Sequence, residues 1–173
     1  AGRVVAMDLG QIDLAIEDGS FFKNEAMLAF AASVKAAGGR AHLMGVVSDG
    51  GVHGHIDHIK AAIKALSDQG IDVIFHAITD GRDVAPVSAE KYMADLIASL
   101  PANVQIGTVT GRYFALDRDN RWERVETAYN AMILGQGDTV SDPMAALSQG
   151  YANDVTDEFM PATVIGGYDG LRA

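Results

Sequence analysis

With 173 residues, 49% of them apolar and 21% charged, the chain is long enough to bury a core unaided and too apolar to be disordered. It has no cysteine, which excludes disulfides, thiolate metal sites and a cysteine nucleophile. A formal net charge of −10 disfavours nucleic acid and anionic membranes as partners, and no apolar run approaches the ~20 residues of a membrane span.

Residues 1–8 lack a basic start followed by an apolar stretch, so they do not read as a secretory leader, and a cytoplasmic protein is expected. Ser20 is a good N-cap, and the spacing predicts a helix from there to Gly38-Gly39. Phe22, Ala26, Phe30 and Val34 recur every four residues as its apolar face. A strand-turn-helix pattern then repeats three times. Apolar runs at 43–47, 73–78 and 104–109 have the length and composition of buried strands. The first ends in Ser48-Asp49-Gly50-Gly51-Val52-His53, the second in Thr79-Asp80-Gly81-Arg82-Asp83, the third in Thr110-Gly111-Arg112.

Each run leads into a helix. Ile56, Ile59, Ile63 and Leu66 form the first stripe; Ser88 caps the second, which carries Tyr92, Leu96 and Leu100. Asp119 is expected to cap the third, with Trp122, Val125, Tyr129 and Ile133 facing the core. Asp142-Pro143 opens a shorter helix that stops by Gly150, and 163–165 would be one more strand. Strands alternating with helices predict an α/β fold of three layers: a largely parallel or mixed sheet with helices on both faces, forming one domain over 1–173. A first residue other than methionine and a strand close to the end suggest an excised piece.

In such sheets, ligands bind outside the carboxyl ends of the strands. The three strand ends would gather His53, Asp80, Arg82, Asp83 and Arg112 at one edge. Five of the eight arginines, Arg82, Arg112, Arg118, Arg121 and Arg124, fall within one quarter of this acidic chain. Their planar forks suit a small anion carrying phosphate or carboxylate, and an imidazole or carboxylate beside them can move protons. For Arg121 and Arg124 the simpler reading is pairing with Glu123, Glu126 or Asp119 on a solvated helix face. Asp80 reads first as a turn residue. His53, His55, Asp57 and His58 resemble a metal-ligand cluster, without a matched third ligand at usual spacing. His42 and His76 fall inside strands and read as satisfied core or face residues. The turn at 48–51 matches neither the dinucleotide fingerprint nor the P-loop, and neither Ser48 nor Ser88 sits on a nucleophile elbow.

Three strings together are distinctive. Ser48-Asp49-Gly50-Gly51-Val52-His53-Gly54-His55 resembles the SDGGVHSH motif of cofactor-independent phosphoglycerate mutases, and Asp80-Gly81-Arg82-Asp83 their DGRD motif. Gly111-Arg112-Tyr113-Phe114-Ala115-Leu116-Asp117-Arg118-Asp119, followed by Arg121-Trp122-Glu123-Arg124-Val125, resembles their GRYYxMDRDxRWxRV motif. The opening string from Ala15 to Phe22 is similar too. Gly54, Phe114 and Leu116 depart from the usual serine, tyrosine and methionine, and no charged position departs.

The resemblance implies a domain inserted into a phosphatase-like domain that holds two manganese ions and a transiently phosphorylated serine; no metal is expected in this chain. The enzyme would interconvert 3-phosphoglycerate and 2-phosphoglycerate in glycolysis and gluconeogenesis, with this domain holding the glycerate while it reorients. It implies His53, Arg82, Asp83, Arg112 and Arg118 as substrate-binding residues, with Asp83 as catalytic base toward the glycerate hydroxyls. It also implies that further substrate-binding arginines and a lysine, and the phosphatase-like domain acting in cis, lie outside this chain. The competing expectations are a freestanding module that binds a phosphorylated acid without catalysis, and a metal hydrolase built on the cluster from His53 to His58.

Overall fold

The computed structural model describes residue 2 and residues 6–171, so the opening stretch read for a leader lies partly outside the described residues. Its elements are α1 (Asp8–Glu17), α2 (Glu25–Ala36), β1 (Ala41–Val46), α3 (Ile56–Ser67), β2 (Val73–Thr79), α4 (Ala89–Ser99) and β3 (Val104–Gly111). These are followed by α5 (Arg112–Ala115), α6 (Trp122–Leu134), β4 (Asp138–Val140), α7 (Pro143–Ala152) and β5 (Thr163–Ile165), with 3-10 turns at Phe21–Lys23 and Asp157–Phe159. The sheet order is β1-β2-β3-β5-β4. β1, β2 and β3 run parallel through two βαβ crossovers; β5 is antiparallel to β3, and β4 is parallel to β5. This is a mixed, mostly parallel α/β sheet.

The central strand β2 is buried along its whole length. Phe75 and Ala77 pack with Ile56 and Ile63 of α3, Met93 and Leu96 of α4 and Leu147 of α7. The alternate residues, Ile74 and Ile78, join Ala131 and Met132 of α6 on the opposite face. Period-2 alternation along one strand thus divides the core between two helical layers. No helix among the described residues is long and apolar enough to cross a membrane.

Several expected details differ. The helix foreseen from Ser20 is broken: Phe21–Lys23 forms a 3-10 turn, and α2 begins after Asn24, whose side chain accepts the Met27 N–H at 3.0 Å. Its buried side is Met27, Ala31 and Val34, whereas Ala26 and Phe30 face solvent. On α6 the same substitution of small for large occurs: Trp122 and Tyr129 are 70% and 55% exposed, while Ala128, Ala131 and Met132 are buried. In both helices alanine lets the backbone approach its neighbour closely, which a bulky residue at that position would prevent.

The helix caps differ too. The N–H groups of Ser88 and Ala89 donate to Asp157 Oδ2 at 2.8 and 2.9 Å, so a carboxylate far along the chain caps α4 in place of the Ser88 side chain. Asp117, not Asp119, secures the start of α6 by accepting the Arg121 N–H at 2.8 Å. α7 continues to Ala152 through the buried Gly150, where a Cβ would collide with Met160 Sδ.

Candidate functional site

Because β1, β2 and β3 are parallel, the turns that follow them emerge at the same sheet edge. The β1 turn brings Ser48 and His53, the β2 turn Asp80, Arg82 and Asp83, and Arg112 follows β3 directly. Gly81 has φ +67°, and a Cβ there would lie 2.7 Å from the Glu158 nitrogen, so only glycine lets this turn lie against the Asp157–Phe159 turn.

Asp80 is the hub, only 2% exposed. Its Oδ2 accepts from Ser48 Oγ at 2.6 Å. Its Oδ1 accepts from the N–H groups of Arg82 and Asp83 at 3.2 and 3.0 Å and from Arg112 Nη1 at 2.6 Å. The turn bonds foreseen for Asp80 are therefore present, together with a buried ion pair that was not foreseen. Arg112 Nη1 also donates to Asp83 Oδ2 at 2.7 Å, and His53 Nδ1 lies 2.6 Å from the same oxygen. That separation requires the proton on Nδ1, so the Arg112 Nη2 contact at 3.0 Å to that nitrogen is proximity without a hydrogen bond.

Burial alone would raise the Asp80 and Asp83 pKa values. For Asp80, bonds from Ser48, the backbone and Arg112 outweigh it; for Asp83, bonds from Arg112 and His53 and their charge do so. Both carboxyls are held below the ordinary carboxylate range. For Arg112, desolvation disfavours the cation, but its two carboxylate partners raise its pKa overall.

A cavity of about 330 Å³ opens beside this cluster, lined by His53, Arg82, Arg112, Tyr113, Leu116, Asp117, Arg118, Asp119, Arg124 and Glu158. Of the five residues expected to bind substrate, four line it, and Asp83 is bonded to two of the four. The guanidinium groups are not equivalent. Arg112 is committed to two carboxylates, and Arg124 to Asp117 at 2.9 Å and Asp119 at 3.5 Å. Arg82 is 56% exposed and reaches Glu158 only at 3.3 Å. Arg118 is exposed and has no hydrogen bond or ion pair among the described residues. Of the four arginines that line the cavity, Arg82 and Arg118 are thus the ones left to meet a ligand. Arg121 is exposed at the head of α6.

Tyr113, Leu116, Asp117, Asp119, Arg124 and Glu158 line the cavity beyond the expected residues. Arg124 sits in a helical charge pattern that reads as a solvated face, and Glu158 arrives from 76 positions beyond Arg82, where no local signal marks it.

The other histidines diverge. His55 accepts the Asp57 N–H at 3.2 Å, and His58 Nε2 lies 2.6 Å from Asp13 Oδ1 on α1. Among the described residues no group of three or more His, Asp or Glu side chains could hold a metal ion, so the cluster expected from His53 to His58 does not assemble as one. His42 and His76 stack on the sheet and share a 3.1 Å contact, away from the cavity lining.

Residues 12–172 match the profile of the BPG-independent phosphoglycerate mutase N-terminus. The chain belongs to this family. It is 68% identical over 173 residues to the 2,3-bisphosphoglycerate-independent phosphoglycerate mutase of Agrobacterium fabrum, covering all of this chain and 34% of that protein. It is 63% identical over 172 residues to the enzyme of the same name from Ruegeria pomeroyi, again covering 34% of it. The fold is similar to that of Leishmania mexicana phosphoglycerate mutase, solved at low cobalt concentration, with a TM-score of 0.88 and 29% identity over 99% of this chain and 33% of that one. The chain therefore spans about a third of the length of the relatives it matches.

Proposed function

We propose that residues 1–173 form the substrate-holding unit of a phosphoglycerate mutase that interconverts 3-phosphoglycerate and 2-phosphoglycerate. The observation that carries this reading is the cavity in which Arg82 and Arg118 stand largely unspent beside the His53–Asp83–Arg112 cluster. An anion of two to four charges needs cations that are not already neutralised, and forked guanidinium groups grip phosphate and carboxylate oxygens in pairs.

Within this reading, Arg82 and Arg118 hold the charged ends of the phosphoglycerate. His53 and Arg112 bind beside them, and Arg112 also fixes the orientation of Asp83. Asp83 Oδ2 is fully engaged, whereas Oδ1 is without a hydrogen bond among the described residues and is the oxygen available to a glycerate hydroxyl. A carboxylate held below its usual pKa is a weak base at rest, but it stays ionised and takes the hydroxyl proton as the oxygen attacks phosphorus. The phosphoryl group would pass through a serine, with two manganese ions, in a phosphatase-like unit elsewhere in the same enzyme and cytoplasm as its setting. The resident metals would supply charge neutralisation there; residues of this chain bind, orient and move the hydroxyl proton.

Asp83→Asn in the full-length enzyme tests the assignment. Loss of the base should lower kcat for 3-phosphoglycerate by about 100-fold or more, with a smaller change in KM. An unchanged kcat would remove Asp83 from the chemistry. The isolated 173-residue chain should show no mutase turnover.

A further inference from the structure

Arg118 occupies an unusual position for a side chain meant to grip an anion: it is exposed, unpaired among the described residues, and carried on the loop between α5 and α6. A free arginine on a mobile loop loses much rotamer entropy on binding, so the loop must be held if the contact is to be worth its cost. The residues on both sides of Arg118 supply that restraint. The Asp117 side chain is only 2% exposed. Its Oδ2 accepts the N–H groups of Asp119 and Arg121 at 3.2 and 2.8 Å, and its Oδ1 accepts Arg124 Nη1 at 2.9 Å. The Arg124 guanidinium in turn lies 3.9 Å from the centre of the Tyr113 ring and 3.5 Å from Asp119 Oδ2. Tyr113 packs against Phe159 with ring centres 5.0 Å apart. Thus a carboxylate, a guanidinium and an aromatic face tie the loop to the first turn of α6, to α5 and to the Asp157–Phe159 turn.

We propose that Asp117, Arg124 and Tyr113 form a clasp that positions Arg118 for the phosphoglycerate anion, with Asp117 as a positioning residue that does not itself touch the ligand. The inference rests on the proposed substrate role of Arg118. Arg124 lines the same cavity, but its guanidinium is spent on Asp117, Asp119 and the Tyr113 face; it serves the loop, not the ligand. Asp117 is also ill suited to direct contact, since a carboxylate beside a phosphate would repel it.

The test uses the full-length enzyme with 3-phosphoglycerate and the variants Asp117→Asn, Arg118→Ala and the double substitution. Arg118→Ala should raise KM by about tenfold or more, as expected for a lost charge-assisted contact. Asp117→Asn should raise KM by roughly threefold to tenfold, with kcat changed less than about twofold, because only the placing of Arg118 is lost. The double variant should be no worse than Arg118→Ala alone, because a clasp has nothing left to position. Asp117→Glu, which keeps the charge, should recover part of the KM loss, and Arg124→Gln should reproduce Asp117→Asn by opening the clasp from its other side. Arg124→Gln also serves if Asp117→Asn melts below the assay temperature. Were Arg118→Ala to raise KM while both clasp variants left it alone, or were the two effects to multiply in the double variant, the clasp would be wrong and Arg118 would stand. If Arg118→Ala had no effect, the substrate role of Arg118 would fall and the clasp with it.

Discussion

His76 offers a measurable pH effect that can be worked from its surroundings. It lies in the middle of β2, 4% exposed, with Nδ1 3.0 Å from Thr108 Oγ1 and Nε2 3.1 Å from His42 Nδ1. Tyr168 meets its ring edge-on at 5.4 Å. Burial first, and the neighbouring His42 second, lower its pKa from 6.5 to about 4. Protonating both imidazoles would set one N–H against another across the 3.1 Å gap. The unfolded chain takes up a proton as pH falls below 6.5, whereas the folded chain resists until about 4. Between those limits the unfolded state binds more protons, so stability falls as pH falls, and this contribution is complete above 6.5. At pH 5 the loss from this one group is about 2 kcal/mol, and across the whole window about 3 kcal/mol. Urea unfolding of wild type and His76→Gln at pH 7 and pH 5 isolates the effect. The wild type should lose about 2 kcal/mol more than the variant over that interval. Equal losses would show that His76 titrates alike in both states and that its burial has no electrostatic consequence.

Three further outcomes follow from the site. Asp80→Asn removes the charge that faces buried Arg112 and should cost about 3 kcal/mol in chemical denaturation; a loss under about 0.5 kcal/mol would mean the pair is no more valuable than a surface one. Gly111→Ala drives a Cβ into the Glu158 carbonyl oxygen and to 2.6 Å from the Met160 nitrogen, both backbone, so it should destabilise by about 2 kcal/mol or more in a thermal melt. Asp83 is held ionised by Arg112 and His53, so its contribution to stability is present above 3.8 and is lost only as pH drops through a lower folded value. A carboxyl NMR titration should find Asp83 still ionised at pH 3.8, and a midpoint at or above 3.8 would contradict the geometry.

The parts of the site that were legible in the sequence share a physical origin. A parallel strand must end in a turn at the sheet edge where ligands bind, and a glycine beside charged residues marks where the backbone turns sharply and leaves those side chains at that edge. That reasoning reached His53, Arg82, Asp83 and Arg112, and the family resemblance added Arg118. What stayed hidden depended on partners distant in the chain. Asp157 caps α4 from 69 positions beyond Ser88, and Glu158 reaches Arg82 from 76 positions away, so neither leaves a local pattern. The helix faces differ from their sequence pattern for another reason. Hydrophobic weight favours Phe30, Trp122 and Tyr129 as core, yet Ala31, Ala128 and Ala131 are what the packed neighbours admit. The strand β4, three residues long and largely exposed, offered neither an apolar run nor an alternation to detect.

The most direct measurement is the affinity for 3-phosphoglycerate, by calorimetry on the full-length enzyme, before and after Arg82→Ala. Arg82 is exposed and only loosely tied to Glu158, so its removal leaves the Asp80–Arg112 cluster intact and reads out ligand binding with little change in folding. Loss of its fork should weaken binding at least about tenfold, over ~1 kcal/mol, while glycerate without phosphate binds poorly to both forms. An affinity unchanged by Arg82→Ala would contradict the assignment of Arg82 as one of the two cations that hold the phosphoglycerate.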